Sequence, residues 1–166
     1  MSLVDRMIAA AQRALPTEEA AAHCDVPCGI YDPHAAQIAA HTVIRMVDLI
    51  EGLGELNSTE KLHTFNRHVQ VKEEHARIAE QEIIILWTDY FRPEHAEKYA
   101  NLHDLVWKTC KLTSTVKQQI NKQAAQDLLA GIQQIAEIFW ETKGVKTTRR
   151  PSGQPTGGEI VSPVQG

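Results

Sequence analysis

Apolar positions in this chain recur in steps of three and four between short polar breaks, and that pattern predicts helices with almost no strand. Ala39, Val43, Met46, Ile50 and Leu53 step by four, three, four and three, giving one amphipathic face. Asp32 and Pro33 stand before it as an N-cap and a first-turn proline, and Gly52 and Gly54 stop it. Asn57 followed three residues later by Glu60 has the form of a capping box. It opens a long helix through Leu62, Phe65, Val69, Ala76, Ala79, Ile83, Leu86 and Tyr90, with Lys72 in one apolar position. The run 83–87 is apolar enough to pass for a buried strand, but it continues a repeat begun twenty residues earlier. Pro93 ends that helix. After a short segment at 95–99, Leu102, Leu105, Thr109, Leu112 and Val116 outline a third stripe. Ala125, Leu128, Ile132, Ile135 and Phe139 outline a fourth, with Gly144 where a helix C-cap belongs. Four helices with short connections over residues 34–143 predict an all-α, antiparallel four-helix bundle. Residues 144–166 are rich in glycine, proline and polar side chains, and are expected to be a disordered tail.

Upstream, Val4, Met7, Ile8, Ala11 and Leu15 lie at helical spacing within residues 1–22. Asp5, Arg6, Gln12 and Arg13 interrupt the uninterrupted apolar core that a secretory signal requires, although Ala20, Ala21 and Ala22 resemble a small-residue cleavage site. A chain of 166 residues with a net charge of −4 is sized for one domain. It lacks the basic footprint of a nucleic-acid binder and any apolar run that could span a bilayer. Three cysteines leave one thiol unpaired in a monomer, which fits a reducing, cytoplasmic compartment better than a disulfide scaffold.

Two of those cysteines sit in residues 23–33, where His23, Cys24 and Cys28 form a compact soft-donor cluster. Pro27 fixes φ and Gly29 tolerates positive φ, so the backbone can fold back and bring both sulfurs to one ion. Spacing alone leaves a metal site, structural thiols and a redox pair open. A closed zinc site needs a second Cys/His pair, which does not follow, and a redox C-x-x-C belongs with alternating strands and helices. Cys110, beside the third stripe, is assigned to packing. His34, His41, His63, His68, His75, His95 and His103 are scattered at polar positions, and most are expected to be solvated. A di-iron bundle would need two Glu-x-x-His motifs, and Glu60 to His63 is one.

The segment His23-Cys24-Asp25-x-Pro27-Cys28-Gly29-x-Tyr31-Asp32-Pro33 resembles the amino-terminal hook of the mature nickel-dependent superoxide dismutases. Leu86-Trp87-Thr88-Asp89-Tyr90-Phe91-Arg92-Pro93 resembles that family's second signature, and Phe139-Trp140-Glu141-Thr142-Lys143 its carboxy-terminal helix end, in the family's order. The resemblance implies dismutation of superoxide to dioxygen and hydrogen peroxide by one nickel ion per subunit, cycling between Ni(II) and Ni(III). It implies ligation by the thiolates of Cys24 and Cys28, the amino group and axial imidazole of His23, and the backbone nitrogen of Cys24. Thiolates are the donors that make a higher nickel oxidation state accessible.

It further implies a leader cut by a processing protease between Ala22 and His23, and a homohexamer. Tyr31, three residues beyond Cys28, and Tyr90 are the candidate catalytic phenols over the metal, and Asp25 is assigned to hydrogen bonds within the hook. Where the family has a glutamate and an arginine supporting the axial imidazole, this chain has Ala39 and His75, so His75 or Glu74 becomes the candidate support. The rival reading is a non-enzymatic helical metal-binding or interaction protein that uses the cysteine pair for zinc or copper.

Overall fold

The structure, a computed structural model, describes residues 29–164. Its elements are α1 (His34–Glu51), α2 (Thr59–Ile85) running into a π-helical turn (Leu86–Tyr90), and the short α3 (Pro93–Lys98). α4 (Leu102–Gln118), α5 (Lys122–Thr142), β1 (Thr147–Pro151) and β2 (Glu159–Pro163) follow. The long helices pack in a ring, α1 on α2, α2 on α4, α4 on α5 and α5 on α1, which is the predicted four-helix bundle.

Each helix forms where its sequence supplies both a stripe and an end. Asp32 Oδ1 accepts from the His34 amide at 2.7 Å, so the expected aspartate does satisfy a first-turn donor of α1. Ser58, rather than Asn57, caps α2, its hydroxyl accepting from the Lys61 amide at 3.2 Å. Asn121 caps α5 through Oδ1 to the Ala124 amide at 2.9 Å. Gly144, at φ +70, closes the far end of α5, with its amide on the Glu141 carbonyl and that of Val145 on Trp140.

The core runs through Val43, Val47, Ile83, Leu102, Val116, Leu128, Ile132, Ile135 and Phe139, all buried. α4 presents Leu102, Val106, Thr109, Thr113 and Val116 to it, while Leu105 and Leu112 are only half-buried, so the stripe is turned from its expected position. The two threonines can face inward because each hydroxyl donates to a carbonyl of its own helix, Thr109 to Leu105 and Thr113 to Cys110, both at 2.7 Å. α5 passes α4 closely at Gly131, where a Cβ would lie 2.5 Å from Thr109 Oγ1. Cys110 is half-buried, and burial raises its thiol pKa.

Lys72 takes an apolar position because its ammonium ends α4. Nζ donates to the carbonyls of Val116, Lys117 and Gln119, with 3.2 Å to each of the last two, on a side chain only 1% exposed. A cation there meets the orphan carbonyls and the negative end of the helix dipole together. The early positions of the α2 stripe are less covered than the pattern predicts, Leu62 being 51% exposed.

The expected disordered tail and near-absence of strand do not hold. β1 and β2 pair antiparallel, Thr147 opposite Pro163 through Pro151 opposite Glu159, and bury Ile160 and Val161 against the helices. The polar composition misleads because the hairpin lies on a helix face that is itself polar. Gln37, His41 and Gln133 are buried beneath it and hydrogen-bond to it. His41, one of the seven histidines of which most are expected in solvent, is 3% exposed for that reason.

Candidate metal centre

His23, Cys24, Asp25 and Cys28, with the Ala22–His23 cleavage position, lie outside the described residues. The first residue that follows them, Gly29 at φ +73, lies in the wall of a cavity of about 360 Å³ shared with Tyr31, Tyr90 and Lys143. Asp89, Arg92, Glu94 and His95 complete the wall, so segments from α1's approach, the π turn, α3 and the end of α5 converge there.

The π turn is the element that turns Tyr90 toward this cavity. Phe91 donates its amide to the Leu86 carbonyl at 2.9 Å, five residues back, and then leaves the helix at ψ 141. Leu86 and Phe91 are buried while Tyr90, between the helix and its exit, is half-buried beside Tyr31, with ring centroids 5.5 Å apart and planes tilted by 56°. Phe139 supports Tyr90 at 4.5 Å, and His95 stacks on it at 5.7 Å with planes at 22°. The two phenols that the sequence singled out are therefore brought together.

The Tyr90 hydroxyl has a definite role in its hydrogen bond. Thr142 Oγ1 donates to the Phe139 carbonyl at 2.6 Å and lies 2.6 Å from Tyr90 Oη. A threonine has one hydroxyl proton, so Tyr90 donates and Thr142 accepts. His95 Nδ1 accepts from the Arg92 amide at 3.2 Å, which fixes a lone pair on that nitrogen.

Arg92 and Lys143 are cationic and Asp89 and Glu94 anionic, so formal charge alone gives the cavity no net sign. The cations differ in setting. Lys143 Nζ lies 4.7 Å from the Phe139 ring centre, 5.5 Å from Tyr90 and 5.7 Å from Trp140, an aromatic cradle that keeps the ammonium at the wall. Thr142 and Lys143 belong to a segment the sequence marked without giving either a role, and only their place beside Phe139 and Trp140 signalled them.

The structure does not bring His75 to this cavity. Its Nδ1 lies 3.0 Å from the Val71 carbonyl on the same helix, and Glu74 is exposed and paired with Arg77 at 2.6 Å. Ala39 is buried in the core. Among the described residues, no group of three or more His, Cys, Asp and Glu side chains could hold a metal ion. No helix among them is long and apolar enough to cross a membrane.

The family model for nickel-containing superoxide dismutase matches residues 18–143. The nickel superoxide dismutase of Streptomyces coelicolor is 40% identical over 128 residues, spanning 77% of this chain and 93% of the relative. That of Streptomyces seoulensis is 38% identical over the same shares. A crystal structure of a nickel-containing superoxide dismutase after partial reduction superposes with a TM-score of 0.67 at 38% identity, covering 74% of this chain and 99% of the other. The native nickel superoxide dismutase gives 0.65 at 40% identity, covering 73% and 99%.

Proposed function

The chain belongs to the nickel-containing superoxide dismutases, and from that premise we propose that its metal centre is the amino-terminal hook, held against the cavity of Tyr31 and Tyr90. The protein is an oxidoreductase that dismutes superoxide, and its cofactor is nickel. The hook's donors suit that ion. Two thiolates, Cys24 and Cys28, with the His23 amine, the Cys24 backbone nitrogen and the His23 imidazole, would hold it, a sulfur and nitrogen donor set that suits nickel. Nickel bound there would supply the one-electron step in each direction between Ni(II) and Ni(III), so that two superoxide ions and two protons give one dioxygen and one hydrogen peroxide.

The observation that carries this reading is Gly29. It lines the cavity, and in the sequence it directly follows Cys28, the last residue of the donor cluster. Tyr31 offers its phenol to water or anion beside the hook. Tyr90, whose proton is committed to Thr142, acts by holding the Tyr31 ring. Lys143 and Arg92 place positive charge where a small anion must enter.

The leader decides whether His23 can bind. While Ala22 precedes it, the His23 nitrogen is an amide with its lone pair delocalised, and after cleavage it is an amine with a pKa of about 8 that can shed its proton and coordinate. A processing protease, a reducing cytoplasmic setting and assembly of subunits into a homohexamer complete the reading.

The test is a chain beginning at His23, a second with one alanine before it, and Cys24→Ser, Cys28→Ser and Cys110→Ser in the first. Superoxide dismutation and bound nickel are expected in the first chain and in Cys110→Ser, and in neither hook variant, with helical circular dichroism unchanged throughout. Equal activity with and without the extra alanine would remove the terminal amine from the centre. Zinc or copper in place of nickel would remove the redox role.

A further inference from the structure

The family match ends at residue 143, and the hairpin lies beyond it. Its contacts are built rather than incidental. Gln37, fully buried on α1, gives its Nε2 to the Val161 carbonyl at 3.1 Å and takes the Val161 amide on Oε1 at 2.8 Å. The Glu159 carbonyl accepts from Gln133 Nε2 of α5 at 2.6 Å and faces His41 Nε2 of α1 at 3.2 Å. One strand therefore ties α1 to α5.

The tied places are the ones that lead into the cavity. Gln37 donates its amide to the Pro33 carbonyl, the first bond of α1, two residues from Tyr31. Ser162 and Pro163, at the end of β2, share a cleft with Asp32 and His34 at the start of α1 and with Trp140, which stands three residues before Lys143 near the end of α5. A first helical turn has orphan amides and frays more readily than the helix interior. Fraying there would carry Tyr31 and the hook away from Tyr90, and a misplacement of about 1 Å near a reacting centre can cost on the order of a hundredfold in rate.

We propose that the hairpin is a positioning clamp for the metal centre, with Gln37 as its principal contact, holding the first turn of α1 against the end of α5 so that the hook stays seated over the cavity. The proposal rests on the reading of the hook as the nickel site.

Its test compares three nickel-loaded proteins starting at His23: the full chain, a chain stopping after Val145, and full-length Gln37→Met, which keeps side-chain length and removes both bonds to Val161. Amide exchange in residues 34–37, release of nickel to a chelator and turnover are measured on each. The truncated protein is expected to stay helical, exchange those amides faster, and release nickel roughly tenfold faster, with Gln37→Met moving the same way by less. Exchange and release equal to the full chain in both variants overturn the clamp. If the truncated chain does not fold, Gln37→Met decides alone, and unchanged exchange in it overturns the proposal. A full chain that retains no nickel overturns instead the reading of the hook, and the exchange rates, which need no metal, separate the two failures.

Discussion

At the scale of single residues, the site depends on which hydroxyl gives its proton to which. Tyr90 donates to Thr142, and Thr142 to the Phe139 carbonyl, so a two-step relay ends in the α5 backbone and pins the phenol. Thr142→Val keeps the shape and removes the acceptor. It is expected to cost about 1 kcal/mol of stability, read by chemical denaturation. It should also lower turnover several-fold as Tyr90 and Tyr31 lose their fixed relation. Turnover equal to the parent would leave the Tyr90 hydroxyl without a part in the reaction. Tyr31 and Tyr90 were legible in the sequence because each stands in a compact motif. Lys143 and Thr142 were not, because their significance is the fold's convergence of an α5 end on the π turn, and one-dimensional spacing does not contain that.

Among the elements, the helices were legible because their burial follows a stripe, and errors arose where a polar group did an apolar group's job. Lys72 breaks the α2 repeat, yet it is the cap of α4. Lys72→Met leaves the carbonyls of Val116, Lys117 and Gln119 without that donor, and is expected to destabilise the bundle by about 2 kcal/mol, net of the desolvation it relieves. Burial lowers the Lys72 pKa below 10.5. The unfolded chain therefore keeps that proton to higher pH than the folded one, so this residue's contribution to stability rises with pH between the folded pKa and 10.5. Denaturation midpoints in that alkaline window should climb less steeply in Lys72→Met than in the parent. An identical slope would place the charge elsewhere. The α2 cap moved by one residue for a local reason, since the Ser58 hydroxyl reaches the Lys61 amide three positions on, as an N-cap must.

For the whole molecule, the apolar positions left uncovered matter as much as the core. Leu62 on α2 and Trp107 on α4 are 51% and 53% exposed, in keeping with the proposed assembly of subunits. The chain starting at His23 is expected to sediment at several times the monomer mass. Leu62→Glu with Trp107→Glu should sediment as a smaller species while its circular dichroism is unchanged. A parent chain that sediments as a monomer would contradict the homohexamer. The apolar stripes made the bundle legible and family likeness the three motifs, whereas the hairpin was hidden by its own composition. The way it is seated explains why. Gln37, His41 and Gln133 grasp the main-chain atoms of Val161 and Glu159, which every residue type but proline presents alike. These bonds therefore fix the side chains on the helix face, while on the strand they set none, and only the burial of Ile160 and Val161 constrains it. A hairpin seated this way leaves little trace in a pattern of side chains, because what holds it is main chain.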